Sequence, residues 1–150
     1  MENSNQKTVD TLNGLISILE DGKLGYKNAA EDIDDYGLKE NFLAYSRERS
    51  FYIVQLQDEI NKMGKSTNES DGGPLGLLHR TWIDIKAAFT AGDKDAIINA
   101  CITGEEAAIK KYTAALKENT FDSSLRLIIE NQLSGIEKTL SQIKLKKVDS

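Results

Sequence analysis

Proline, cysteine and histidine are almost absent from this chain of 150 residues, which contains one of each. Because proline is the strongest helix breaker, the single Pro74 leaves long stretches free to form helices. The single Cys101 excludes a disulfide within the chain, and a lone thiol without an N-terminal secretory signal is typical of a cytoplasmic protein. The single His79 excludes metal sites that take two or more histidine ligands from one chain.

Positive charge and long apolar runs are also scarce. Lys and Arg total 19 against 24 for Asp and Glu, which gives a formal net charge of -5. Since nucleic acids and anionic membranes bind basic surfaces, neither is an expected partner. No apolar run approaches the roughly 20 residues that cross a bilayer as a helix. The remaining composition, 39% hydrophobic and 29% charged, is typical of one soluble folded domain, which we expect to span residues 1–150.

Apolar residues recur in steps of three and four along most of the chain, which is the spacing of amphipathic helices. This spacing predicts long helices over about residues 8–35, 38–63 and 94–117, and a fourth that ends near residue 146. No segment alternates between apolar and polar residues for long enough to favour a strand. The fold is therefore expected to be all-α.

Glycine and polar residues indicate where these helices begin and end. Gly37 is predicted to close the first helix as its left-handed C-terminal residue, and Thr120 or Asp122 to cap the fourth. The stretch 64–73 is rich in Gly, Ser, Asn and Asp and is predicted to be a flexible loop. The polar residues ahead of the first helix are predicted to form a short disordered N-terminus.

The lengths of the connections predict how the helices are arranged. The first two long helices are joined by a tight turn, as are the last two, so each pair is expected to be antiparallel. A much longer connection separates the second from the third, and it is predicted to include a short helix over about residues 75–91. Such a connection is long enough to run back along the full length of a bundle helix, roughly 37 Å. The third long helix can then begin at the same end of the bundle as the second. The sequence therefore predicts a ferritin-like four-helix bundle with one long crossover that carries a short extra helix.

Glu105 interrupts the apolar stripe of the third long helix, between Ile102 and Ile109. A buried carboxylate needs a cation, a metal or a raised pKa, so its neighbours decide its role. Counting along the four helices at 1.5 Å per residue places three other polar residues within roughly 6 Å of its depth. Glu105, these three residues and two tyrosines on the same stripes form the predicted polar core layer. It comprises Lys23, Tyr26, Arg49, Glu105, Tyr112 and Gln132.

Three interpretations of this layer are open. In the first, Glu105 forms an ion pair with Arg49, supported by Gln132 and the tyrosines, and the protein is non-enzymatic without a cofactor. In the second, carboxylates hold iron or manganese in a metal-binding or redox protein. The third is a pocket for a small ligand among the tyrosines. The candidate metal ligands of the second interpretation are Glu31, Glu48, Glu105 and Glu130.

The metal interpretation is weakened by two features of the sequence. Di-iron bundles take a Glu-x-x-His motif from each of two helices. Here Phe51 follows Glu48 at that spacing, and Leu133 follows Glu130. A cation at the level of Glu105 would also repel a metal ion and satisfy the carboxylate directly. The sequence therefore favours the ion pair, with no metal expected.

Two further groups of residues have simple structural interpretations. His79, Arg80 and Trp82 lie together in the crossover, where Trp82 is expected to dock the short helix and the two polar residues to contact carboxylates of the bundle. On the second helix, Leu43, Phe51 and Val54 lie off the main apolar stripe. Since bundles of this kind often pair through helix faces, these three indicate a surface for homo-oligomer formation.

Three motifs in this chain carry a resemblance to a known family. They are Asp21-Gly22-x-x-Gly25-Tyr26-x-x-Ala29-Ala30-Glu31, Leu78-His79-Arg80-x-Trp82, and Gly104-Glu105-x-Ala107 with Tyr112. With them the chain resembles, from about Val9 to Ile143, an uncharacterised bacterial family of ferritin-like four-helix-bundle proteins. The resemblance implies the ferritin-like superfamily and a bacterial cytoplasmic setting, with related stress-associated bundles, but no established activity. The expected function is association with itself or with a partner.

Overall fold

The described part of the chain is an all-α bundle, as the sequence predicts. The structure, a computed structural model, describes residues 2–65 and 94–148. These residues form four helices and no strand: α1 (Glu2–Asp32), α2 (Tyr36–Lys62), α3 (Lys94–Glu118) and α4 (Ser123–Val148). α1 begins at Glu2 rather than near residue 8, so the segment predicted to be disordered continues the helix.

Aspartates cap two of these helices. The Asp35 side chain accepts a hydrogen bond from the backbone N–H of Leu38 at 3.1 Å, and Asp122 accepts one from Leu125 at 2.9 Å. Each carboxylate satisfies a backbone donor that the first turn of a helix leaves unpaired. The prediction for Gly37 is wrong, because this residue lies in the first turn of α2 and only Gly64 has a positive φ among the described residues.

Contacts at the two ends of the bundle give the directions of the helices. At one end the Lys94 ammonium lies 3.1 Å from the Asp35 carboxylate, so α2 and α3 begin at the same end. At the other end the Lys7 ammonium donates to the Glu118 carbonyl at 3.2 Å. α1 is therefore antiparallel to α2 and α3, while α2 and α3 run parallel to each other.

Several predicted features lie outside the described residues. They are the short helix of the predicted crossover, most of the predicted 64–73 loop, and the crossover motif formed by His79, Arg80 and Trp82. Of the helices that are described, none is both long enough and apolar enough to cross a membrane.

The four helices are arranged as two hairpins. Backbones approach most closely within the α1–α2 pair and within the α3–α4 pair. The hairpins also meet along α1 and α3 and along α2 and α4, so α2 and α3 occupy diagonally opposite positions. A side chain that joins α2 to α3 must therefore cross the axis of the bundle.

The apolar core consists of two clusters, one towards each end of the bundle. The larger contains Leu12, Leu19, Leu56 and Ile129, and the smaller contains Phe42, Ile98 and Cys101, among others. Burial of each large aliphatic or aromatic side chain contributes about 1.5–3 kcal/mol. Along α2 and α3 the clusters are separated by a short polar level, and that level holds the candidate site.

Candidate functional site

Arg49 and Glu105 form a buried ion pair between the two apolar clusters. The Nη2 of Arg49 donates to both carboxylate oxygens of Glu105. Each side chain is only 2% exposed. Since Arg49 belongs to α2 and Glu105 to α3, the pair crosses the bundle axis and links the two hairpins. The structure thus brings together the two residues that the sequence places at one depth.

Gly22 of α1 makes room for the Arg49 side chain. A β-carbon built on Gly22 would lie 3.3 Å from Nε of Arg49 and 3.7 Å from its Cδ. The missing side chain lets the arginine pass close to the α1 backbone on its way to Glu105. An isolated glycine in a helix costs about 1 kcal/mol of stability relative to alanine. The close approach of Arg49 explains why glycine occupies position 22 despite that cost.

Tyr26 covers the ion pair on the side of the smaller cluster. The guanidinium carbon of Arg49 lies 5.9 Å from the centre of the Tyr26 ring, within the range of a cation–π contact. The ring packs against Phe42 and Tyr45, with centroids 5.7 and 5.3 Å away. The Tyr26 hydroxyl also interacts with the Glu105 carboxylate and opposes part of the rise that burial gives to the pKa of Glu105.

Burial controls the charges of this level. Desolvation raises the pKa of Glu105, and the neighbouring Arg49 guanidinium opposes that rise. Burial alone would lower the pKa of Arg49, but the Glu105 carboxylate raises it above its usual value, so the guanidinium stays charged. Burial also raises the pKa of the Cys101 thiol and of the Tyr26 hydroxyl. At neutral pH burial therefore favours the protonated forms of the thiol and the phenol.

Gln132 belongs to a second polar group rather than to the ion pair. The Tyr112 hydroxyl donates to its Oε1 at 2.7 Å. Its Nε2 donates to the Tyr52 carbonyl at 3.2 Å and to Gln55 Oε1 at 3.0 Å. Within the described residues no hydrogen bond joins Gln132 to Arg49 or Glu105. The single layer predicted from the sequence is therefore two separate networks.

Lys23 does not join the buried layer. Its side chain is 37% exposed, and its ammonium lies 3.9 Å from the Glu20 carboxylate on the surface of α1. The inward position at this depth is occupied by the neighbouring Gly22, which leaves Lys23 at the flank of the helix. A long aliphatic stem with a charged end is stable in such a position, because the ammonium reaches water.

Of the other three candidate metal ligands, only Glu48 lies near the ion pair. Glu31 is exposed. The Glu48 side chain is 40% exposed, with its Oε1 at 4.0 Å from Nη1 of Arg49. The Glu130 side chain is 48% exposed and pairs with Arg126 at 3.4 Å. The part of the chain that the structure describes contains no group of three or more His, Cys, Asp or Glu placed to hold one ion.

Sequence reasoning missed the contact between Tyr52 and Gly135. The hydroxyl of Tyr52 on α2 lies directly against the glycine on α4. The sequence did contain a signal for this contact, because Gly135 precedes Ile136, a residue of the apolar stripe of the fourth helix. An isolated glycine inside a helix indicates the close approach of a neighbouring side chain. Gly22, which the Arg49 side chain approaches, is a second glycine of this kind.

A comparison with known families decides where this bundle belongs. A family model described as a domain of unknown function (DUF2383) matches residues 7–118, about three-quarters of the chain. The chain belongs to the DUF2383 family. The matched region of this DUF2383 chain includes both members of the ion pair and ends with α3, before Gln132 and Gly135. No curated protein matches the chain.

Proposed function

We propose that this DUF2383 protein is a non-enzymatic member of the ferritin-like superfamily that acts by association with itself or with another protein, without a di-iron centre. The observation that carries the proposal is the environment of Glu105. Both of its carboxylate oxygens accept hydrogen bonds from Arg49, in a site that excludes water. The carboxylate at mid-bundle already has a cationic partner supplied by the chain itself.

The ion pair supports this proposal energetically. A metal ion at Glu105 would have to displace the guanidinium, whose side chain belongs to the diagonal helix and is only 2% exposed. Leaving one member of a buried pair without its partner typically costs about 3–5 kcal/mol. A divalent ion placed beside the remaining arginine would also meet a like charge. Metal binding therefore has to overcome both penalties before it contributes any stability.

Among the described residues, few groups near the ion pair are suited to catalysis. Glu31 and Glu130 are exposed or half-exposed and lie away from Glu105, and the half-exposed Glu48 faces the Arg49 guanidinium. Burial raises the pKa of Cys101, so its thiol is protonated at neutral pH. A largely apolar interior whose central carboxylate is paired with an arginine favours a role in which the bundle is a scaffold. A stress-associated role in a bacterial cell is part of the proposal and depends on the sequence resemblance to ferritin-like bundles.

Metal analysis of the intact protein tests the proposal. The chain would be produced in medium rich in iron and manganese, purified without added metal, and its metal content measured by mass spectrometry. We expect far less than one ion per chain, and no oxidation of added Fe²⁺ above the buffer rate. Stoichiometric iron or manganese that disappears in a Glu105→Gln variant would overturn the proposal in favour of a carboxylate metal or redox protein.

Two variants make the measurement specific. Arg49→Ala removes the competing cation, so any metal affinity of Glu105 should increase in it relative to the wild type. Glu130→Gln is the matched control, because it removes a half-exposed carboxylate that pairs with Arg126. Metal that is lost with Glu130→Gln but retained with Glu105→Gln would indicate surface binding unrelated to the bundle centre.

A further inference from the structure

The outer face of α2 carries a regular stripe of exposed residues. Its members recur in alternating steps of three and four: Ala44, Arg47, Phe51, Val54, Asp58 and Asn61. We call this set the outer α2 stripe. Two of its members are large and apolar, with Phe51 60% and Val54 52% exposed. Steps of three and four on one face are the spacing of a seam between two packed helices.

The apolar pair at the centre of the stripe has no equivalent on the described helices. The other large apolar residues that are exposed, Leu24, Tyr36, Leu127 and Leu145, lie on separate turns. Phe51 and Val54 are three residues apart and so lie on one helix face. Leu43, predicted to belong to the same surface, instead packs against the smaller apolar cluster.

The outer α2 stripe is complementary to itself when reversed. If two α2 helices lie antiparallel with a two-fold axis midway between Phe51 and Val54, the Phe51 of each faces Val54 of the partner subunit. At the next level Arg47 faces Asp58 of the partner subunit, and Ala44 then faces Asn61 of the partner subunit. Every member of the stripe meets another member, which is what an isologous two-fold contact requires.

The charges select this antiparallel arrangement. Arg47 and Asp58 lie on opposite sides of the apolar pair, each four residues or roughly 6 Å away along the helix. Both are exposed, and neither forms a salt bridge among the described residues. A parallel pairing would place like charges opposite each other, whereas the antiparallel one forms two Arg–Asp contacts around an apolar centre.

From this self-complementarity we infer that two copies of the chain pair through antiparallel α2 helices along the outer α2 stripe. The inference deepens the proposed function, on which it rests, by naming a second copy as the partner. A contact along one helix is small beside a standard interface of roughly 1,600 Å². The dimer is therefore reversible, and its population depends on concentration.

Charge reversal tests the pairing. Sedimentation velocity over a concentration series should give a mass that rises towards twice the 16.6 kDa of one chain. Arg47→Asp and Asp58→Arg each place like charges opposite each other, so each should raise the dissociation constant at least about tenfold. The double variant Arg47→Asp/Asp58→Arg restores opposite charges at both contacts and should recover most of the wild-type affinity.

Matched controls separate this surface from the rest of the molecule. Lys138→Asp makes the same change of charge as Arg47→Asp at an exposed position of α4, and should leave the dissociation constant unchanged. Phe51→Ser should weaken the dimer, whereas Leu127→Ser, at a residue 57% exposed on α4, should not. These positions are all on the surface, so the helical content measured by circular dichroism should remain that of the wild type.

A wild-type protein that stays monomeric at its highest soluble concentration would overturn the inference. So would a dimer that single charge reversals do not weaken, or that the double variant fails to restore. The metal content of the protein is an independent measurement. A metal-free monomer would contradict the α2 pairing but not the proposed function. A dimer with stoichiometric metal would contradict the proposed function.

Discussion

The hydroxyl of Tyr52 occupies the space in which a side chain at Gly135 would begin. A β-carbon built on Gly135 would lie 1.9 Å from the hydroxyl oxygen and 3.1 Å from the ring carbon that carries it. The first distance is far shorter than any non-bonded contact, and the second is tight. Glycine at position 135 thus allows α4 to pack closely against an α2 tyrosine.

Gly135→Ala should destabilise the protein even though alanine favours helix. Overpacking of this kind costs about 1–3 kcal/mol, and the gain in helix propensity offsets up to about 1 kcal/mol. Tyr52→Phe removes the clashing oxygen, so the cost of Gly135→Ala should be smaller in that background. Urea denaturation of the four proteins in this double-mutant cycle gives the coupling energy.

Gly14 provides the control for that substitution. A β-carbon at Gly14 would meet only Cε of Lys111, at an ordinary distance of 3.9 Å. Gly14→Ala should therefore stabilise the protein by up to about 1 kcal/mol. If Gly135→Ala behaves like Gly14→Ala, the Tyr52 hydroxyl does not lie where the structure places it.

Removal of Arg49 should be among the most destabilising single changes. Arg49→Met leaves the Glu105 carboxylate buried without a partner, at a cost of about 3–5 kcal/mol. Arg49→Ala should cost more, because it also removes the packing of the aliphatic stem. Arg49→Met/Glu105→Leu, which removes both charges, should recover most of the loss. Equal melting temperatures for Arg49→Ala and Arg49→Met would argue against burial of this side chain.

The Cys101 thiol should be unreactive in the folded protein. The residue is fully buried, and that burial raises the pKa of its thiol. Since the thiolate is the reactive form, modification by a disulfide reagent should be slow in buffer and fast in urea. Thr103→Cys in a Cys101→Ala background is the control, because Thr103 is exposed on the same helix. Equal rates for the two thiols would contradict this burial.

Asp122 should contribute stability that disappears in acid. The Leu125 N–H and then the Ser124 hydroxyl lower the pKa of its carboxyl from 3.8. Because the folded pKa lies below the unfolded value, the contribution is present above the unfolded pKa and is lost as pH falls through the folded one. Asp122→Asn keeps the capping oxygen without the charge. The difference in unfolding free energy between the two proteins should therefore shrink in acid, and a constant difference would count against this pKa shift.

The helices could be predicted from the sequence because their apolar stripes are long. In the predicted helix 38–63, Leu38, Phe42, Leu56 and Ile60 lie at helical spacing and are all buried. The depth count also placed Arg49 and Glu105 at one level, since both lie far inside regular helices. These predictions depend only on the constant rise and rotation of an α-helix.

The predictions that were wrong depend on details that helical periodicity does not determine. Lys23 and Gly22 are adjacent, and a shift of one residue around the helix decides which faces inward. Gln132 lies close to the predicted depth, yet its amide reaches a backbone carbonyl of α2 instead of the ion pair. The prediction for Gly37 was wrong because residues 33–35 connect α1 to α2 without a left-handed residue, and Asp35 caps α2.

The diagonal contact between Arg49 and Glu105 has a consequence for how the two hairpins slide against each other. Apolar side chains alone would tolerate a shift of one hairpin along the other, because leucine and isoleucine fit many similar grooves. A slip of one helical turn, about 5.4 Å, would separate the guanidinium from the carboxylate and leave both charges buried and unpaired. The ion pair thereby selects one register of α1–α2 against α3–α4.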